Sequence, residues 1–183
     1  SADGVIYATG GDDYWYDYAS AKAWQYNPAN PAAGWTALPD VPTGKTELAS
    51  AVVNGQWLTA GGSEIDDGWW QRTRSGFALN LDDKEAGWTA LNSLPTNLSG
   101  AAGVAFDDLF LVVGGRDEDG NPLKKVQALN TTNLAGGWME YASMPFGHSY
   151  FAAMRHAGRL VTLGALDLNN GTSVVGQVHC LDR

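Results

Sequence analysis

The 183-residue sequence has a single cysteine, Cys180. An internal disulfide is therefore impossible and a cysteine-based zinc site is excluded, whereas a secreted location is not. Basic residues are also scarce, with 11 Lys+Arg against 20 Asp+Glu for a formal charge of -9. A surface of that sign repels phosphate backbones and anionic lipid alike, so neither nucleic acid nor a membrane is an expected partner. No apolar run reaches the length of a transmembrane helix, and Ser1 is not followed by a basic-then-apolar signal segment, which fits a soluble or already processed chain. Helical periodicity is almost missing. Only the stretches around 19–25 and 82–86 carry it, and both are too short to hold a helix unaided.

What is abundant is glycine, 23 residues, together with 8 Trp, 7 Tyr and 5 Phe. So much buriable surface excludes a disordered chain, and short apolar runs punctuated by Gly, Asn, Asp and Pro predict an all-β fold of short strands and tight turns. The runs repeat. Val5–Gly11, Gln56–Gly62 and Leu109–Gly115 each end in a glycine pair, and Arg159–Ala165 follows the same pattern with Gly164-Ala165, at steps of 51, 53 and 50. Gly-Trp at Trp35, Trp88 and Trp138, and a proline at Pro42, Pro95 and Pro145, drift by the same 53 and 50. A unit of about fifty residues is the signature of stacked supersecondary repeats.

Each unit parses as four strands. The first (49–53, 100–106, 150–155) leads through a two-residue turn, Asn54-Gly55, Asp107-Asp108 or Ala157-Gly158, into the second, which ends in the glycine pair. A variable loop precedes the third (23–27, 76–81, 126–130, 174–181), and the fourth carries the Trp (35–38, 88–91, 138–141). Such a meander cannot bury both faces of its sheet alone, so neighbouring units must stack as propeller blades. The units run roughly over 1–42, 43–95, 96–145 and 146–183 as one propeller region. The first is expected to lack its first strand and the last its fourth, giving fourteen strands, about 3.5 blades. Open edges of this kind predict a partial propeller within a longer chain or a half that self-associates, with closure as a four-bladed ring of two thinned blades as the alternative. The three Trp are expected in the core between blades.

These residues resemble the kelch repeat: a glycine pair after an apolar strand, a strand before an Asn/Asp-rich turn, then Trp, then Leu-Pro or Met-Pro. The segments 34–39 and 87–91 are most similar to the sialic-acid mutarotase (N-acetylneuraminate epimerase) group of kelch proteins. The resemblance implies a kelch-type β-propeller with a carbohydrate-facing loop surface and, if enzymatic, opening or inversion of an anomeric centre. No HxxxH or Cys/His ligand spacing is present, so neither a metal nor a cofactor is expected.

On such a propeller the blade-to-blade loops and the loops between second and third strands share one face. The blade-to-blade loops bring forward Lys45, Glu47, His148 and Tyr150, with Glu47 and His148 as the expected proton carriers; solvated rim residues are the alternative. From the other loops come Tyr14, Trp15, Tyr16, Trp69, Trp70, Arg72, Arg74 and Arg116. Aromatic planes beside fork-shaped donors suit a sugar or an acid group, and the same letters also suit a protein partner. Asp117–Asn121 reads as a polar turn rather than a calcium loop, since no bidentate acid follows. Three sequons, at Asn97, Asn130 and Asn170, lean toward secretion.

Overall fold

A computed structural model describes residues 4–13 and 18–164 and, beyond them, the strand segments 166–167, 173–174 and 178–181. It contains four antiparallel meanders of three, four, four and three strands. Blade 1 pairs β1 (Ile6–Thr9), β4 (Ala23–Tyr26) and β5 (Trp35–Leu38). Blade 2 runs β6 (Ala49–Val53), β7 (Gln56–Ala60), β10 (Gly76–Asn80) and β11 (Trp88–Ala90). Blade 3 repeats this order with β12 (Ala102–Phe106), β13 (Leu109–Val113), β14 (Val126–Asn130) and β15 (Trp138–Tyr141). Blade 4 holds β16 (Ala152–His156), β17 (Arg159–Leu163) and β20 (Val178–Leu181).

Three two-stranded ribbons, read from sequence only as variable loops, project between second and third strands. They are β2 (Asp12–Asp13) with β3 (Tyr18–Ala19), β8 (Ser63–Asp66) with β9 (Trp69–Arg72), and β18 (Leu166–Asp167) with β19 (Ser173–Val174). The last of them corrects the expected strand at 174–181. Val174 pairs with Leu166 in the ribbon, and only 178–181 joins the blade. The stretch 19–25, which carried a trace of helical period, contributes instead to β3 and β4, because its backbone completes two ladders.

The turns explain the hairpins. Asn54 and Gly55, like Ala157 and Gly158, take positive φ, as a two-residue turn with the strands' twist demands, whereas in the third turn this falls to Asp107. First strands of successive blades, β6, β12 and β16, lie side by side around the axis, and the Trp strands lie outermost. The core is accordingly three layers between blades. Trp57, Phe77 and Leu79 meet Tyr7 and Leu38 between blades 1 and 2. Leu58 and Ala78 meet Phe110, Val112 and Leu129 between blades 2 and 3, and Leu111 and Val126 meet Leu160 between blades 3 and 4.

The glycine pair locks each layer. Gly11, Gly62 and Gly115 donate their N–H to the carbonyls of Lys45, Leu98 and His148 at 3.0, 2.8 and 2.8 Å. A Cβ on the preceding glycine, Gly10, Gly61 or Gly114, would sit 2.6, 2.8 or 2.5 Å from the same oxygen. Only a residue without a side chain allows that approach.

The repeated tryptophans behave unequally. Trp88 donates Nε1–H to the Pro39 carbonyl and Trp138 to that of Asn92, each bond 2.8 Å long and reaching the preceding blade. Trp35 corrects the expectation of a buried series, for it is 49% exposed. No preceding blade among the described residues covers it.

Candidate functional site

Each blade-to-blade loop turns toward the axis immediately before its first strand. At equivalent places stand Glu47, Gly100 and Tyr150, all with left-handed φ of 57°, 67° and 52°. Gly100 donates its N–H to the Glu47 carbonyl, and Tyr150 donates to that of Gly100, both at 2.9 Å. This short ladder rounds the axis and holds Glu47 and Tyr150 in a conformation that non-glycine residues rarely adopt. Strain of this kind collects where side chains must be aimed.

Gly100 leaves room for the phenol. A Cβ there would lie 3.3 Å from the Tyr150 ring, which leans across to donate its hydroxyl to Glu47 Oε1 at 2.6 Å. Arg116, immediately after the glycine pair of blade 3, stacks its guanidinium 4.5 Å from the Tyr150 ring centroid and donates to the phenolic oxygen. It also lies 3.8 Å from Glu47 Oε2. Burial, then the hydrogen bond to Glu47 and its charge, push the Tyr150 hydroxyl up to about 12, against the opposing pull of Arg116 and Arg72. Arg116 Nε is buried with no acceptor among the described residues, a donor still to be matched. A cavity of about 430 Å³ opens beside this group, walled by Glu47, Tyr150, Ala101 and Phe151.

Arg72, on β9, joins from the second blade. Its Nε donates to Ser99 Oγ at 3.2 Å and an Nη to the Glu118 carbonyl at 3.1 Å. Two guanidinium groups thus converge in a chain whose net charge is -9. Arg74 is exposed, as are Trp69 at 76% and Trp70 at 41% on the β8–β9 ribbon. Tyr14, Trp15 and Tyr16 lie outside the described residues.

Lys45 and His148 do not join the group at the mouth. They occupy the same place in their loops as Leu98, and like it they plug the layer between blades. Lys45 is 2% exposed, donates Nζ to the Ser75 carbonyl and hydroxyl, and stands 5.1 Å from the Phe77 ring centroid. Burial pulls its ammonium down to about 8, and the charge of Glu64 only partly opposes this. The His148 ring is buried, 5.7 Å from that of Phe151.

A ring of hydroxyls escaped the sequence reading although it was visible there. Thr46, Ser99 and Ser149 follow the plug in all three loops. Thr46 donates to Asp12 at 3.2 Å and Ser99 accepts from Arg72, so each ties the loop to the ribbon of the blade before it. Among the described residues no group of three His, Cys, Asp or Glu is placed to hold a metal ion. In the Asp117–Asn121 turn, the Asp117 carboxylate accepts the Asn121 N–H at 2.8 Å.

Comparison with known proteins agrees with this architecture. The chain is 23% identical over 158 residues to Kelch-like protein 41b of Danio rerio, covering 82% of this chain and 24% of that protein. It is 26% identical to Kelch-like protein 40 of Xenopus laevis, over 73% of this chain and 21% of that protein. Alpha-scruin of Limulus polyphemus matches at 26% identity over 97% of this chain and 20% of its own length. The solved structure of YjhT superposes with a TM-score of 0.72 at 18% identity, over 97% of this chain and 66% of that one. These are kelch-repeat β-propeller blades. The chain spans about a quarter or less of the length of these curated relatives. No family model matches it.

Proposed function

We propose that this kelch module binds a carbohydrate carrying an acid group at the mouth of the propeller axis. The observation that carries the reading is the convergence of Glu47, Arg116 and Tyr150 from three loops beside a cavity of about 430 Å³. That volume lies within the range of small-molecule sites, roughly 300–1,000 Å³. Arg116 and Arg72 supply planar donors for a carboxylate, and Glu47 accepts from sugar hydroxyls. The sialic-acid mutarotase resemblance supports the choice of sugar class. The proposal is one of binding. Any acid/base step would rest on Glu47 and the phenol bonded to it, because the His148 ring is buried against Phe151.

The test is titration with N-acetylneuraminate and, as the uncharged comparison, N-acetylglucosamine, followed by tryptophan fluorescence and calorimetry. Saturable binding of the acid sugar, weakened roughly tenfold by Arg116→Gln as loss of a charge-assisted hydrogen bond requires, supports the reading. Indifference to both sugars overturns it.

A second reading is a protein-interaction or structural module, which fits the Kelch-like and scruin relatives. The exposed Trp69 and Trp70 on the β8–β9 ribbon favour it, since aromatic residues are enriched at protein interfaces.

A further inference from the structure

The β8–β9 ribbon projects from blade 2, with a described blade on either side of it, and strand alternation gives it two sides. Arg72 fixes one of them, because its guanidinium reaches Ser99 and the Glu118 carbonyl. Ile65 and Trp70 share that side, since Ser63 registers with Arg72 and Ile65 with Trp70. Glu64, Asp66, Trp69 and Gln71 take the other, with Asp66 directly opposite Trp69. The Trp69 side therefore faces away from Arg72 and from the Tyr150 hydroxyl that the charge of Arg72 influences.

Trp69 is held out on a paired strand. The turn beside it, Asp67-Gly68, has φ of 49° and 80°, the two-residue geometry that matches the twist of a hairpin. Even so, Trp69 is 76% exposed, the most exposed large apolar side chain among the described residues, and it joins none of the three inter-blade layers. Packing does not account for it. The charge around the indole is of one sign. Asp66 and Asp67 are exposed, and among the described residues neither they nor Glu64 form an ion pair. Lys45, which feels the charge of Glu64, is buried beneath the surface and leaves that charge open to a partner.

We propose that this side of the ribbon docks a basic segment of a partner protein, with a lysine or arginine cation seated over the Trp69 indole beside the Asp66 carboxylate. The face of an indole attracts a cation, and the neighbouring carboxylates strengthen that attraction while repelling an acidic segment. The net charge of -9 draws a basic partner toward the chain, and a preformed hairpin spends little ordering entropy on binding it. The inference rests on the protein-interaction reading and deepens it. It is independent of the axial site, where Arg116 and Arg72 select the opposite charge.

The experiment is fluorescence anisotropy of two labelled octapeptides, one of lysine, arginine and glycine and one with glutamate in place of the basic residues, titrated with the chain at low and at physiological salt. Saturable binding of the basic peptide that weakens with salt is expected. Trp69→Ala and the pair Asp66→Asn with Asp67→Asn should each weaken it about three- to tenfold. Asn is at home in the left-handed φ of position 67, so the turn is kept, and circular dichroism checks that every variant is folded. Two controls should bind as the unmodified chain does: Trp70→Ala on the other side of the ribbon, and Asp82→Asn with Asp83→Asn, which removes the same charge from another exposed turn. Equal weakening by the two charge-removing pairs overturns the proposal, because it means undirected attraction of a polycation to an acidic protein. Binding of the acidic peptide instead, lost in Trp69→Ala, overturns it while leaving the interaction reading standing. Indifference to both peptides overturns it together with the ribbon's part in that reading.

Discussion

Blades 1 and 2 carry the same kind of residue at the same repeat positions, and their fates differ. Ile6 and Trp35 lie open on blade 1, whereas Trp57 is buried and Trp88 is held by a carbonyl of its neighbour. Strand pairing within a blade therefore does not make a core. The adjacent blade does, because a sheet of three or four strands has two faces and its own turns cover neither.

The largest test of this contrast is deletion of one side chain on each side of it. Phe110→Ala empties a site enclosed by two blades and is expected to cost about 3–5 kcal/mol. Ile6→Ala, at the equivalent position on the open face, is expected to cost under about 1 kcal/mol. Urea unfolding midpoints of the two variants check it, and equal losses would break the comparison.

The closed junctions can be set against one another through Lys45 and Leu98. In the folded chain the Lys45 ammonium is drawn down to about 8 from 10.5, so burial penalises its charged form. Below pH 8 that cost is fully present. Between pH 8 and 10.5 the unfolded chain binds the extra proton, and stability rises with pH by on the order of 3 kcal/mol at most. Lys45→Leu, which copies the neighbouring junction, is expected to flatten this rise in pH-dependent urea melts.

Next in size is a close approach between inner strands. A Cβ at Gly103 would meet the Ser50 backbone nitrogen at 2.3 Å, so Gly103→Ala is expected to destabilise by about 1–3 kcal/mol. Ala8→Val on the open face of blade 1 is expected to stay within about 0.5 kcal/mol by the same thermal or urea melts. The smallest effect separates the tryptophans. Trp88→Phe loses its bond to Pro39 and about 1 kcal/mol, while Trp35→Phe leaves the melting midpoint unchanged.

Much of the fold was legible because its signals are local. Asn54-Gly55 fixes a hairpin, the glycine pair ends a strand, and the fifty-residue step forces stacking. The ribbons were not legible. Their strands are short, and β18–β19 borrows Val174 from what read as a single run. At the site, Glu47, Tyr150, Arg72 and Arg116 were legible as loop residues of one face. Their partners were not. In an extended chain, residues 45 and 47 would point the same way, as would 148 and 150. The left-handed φ at Glu47 and Tyr150 breaks that alternation. Lys45 and His148 turn into the layers between blades, and Glu47 and Tyr150 meet across Gly100 at the axis.

The sequence by itself determined the four-strand order within each blade, the turns and the repeat, because backbone conformation and side-chain alternation act over a few positions. Only the tertiary structure decided which repeat-mates are covered and which loop side chains meet. Glu47 and Tyr150 stand 103 positions apart and touch because two intervening blades curve around one axis, a relation that no local pattern of residues encodes.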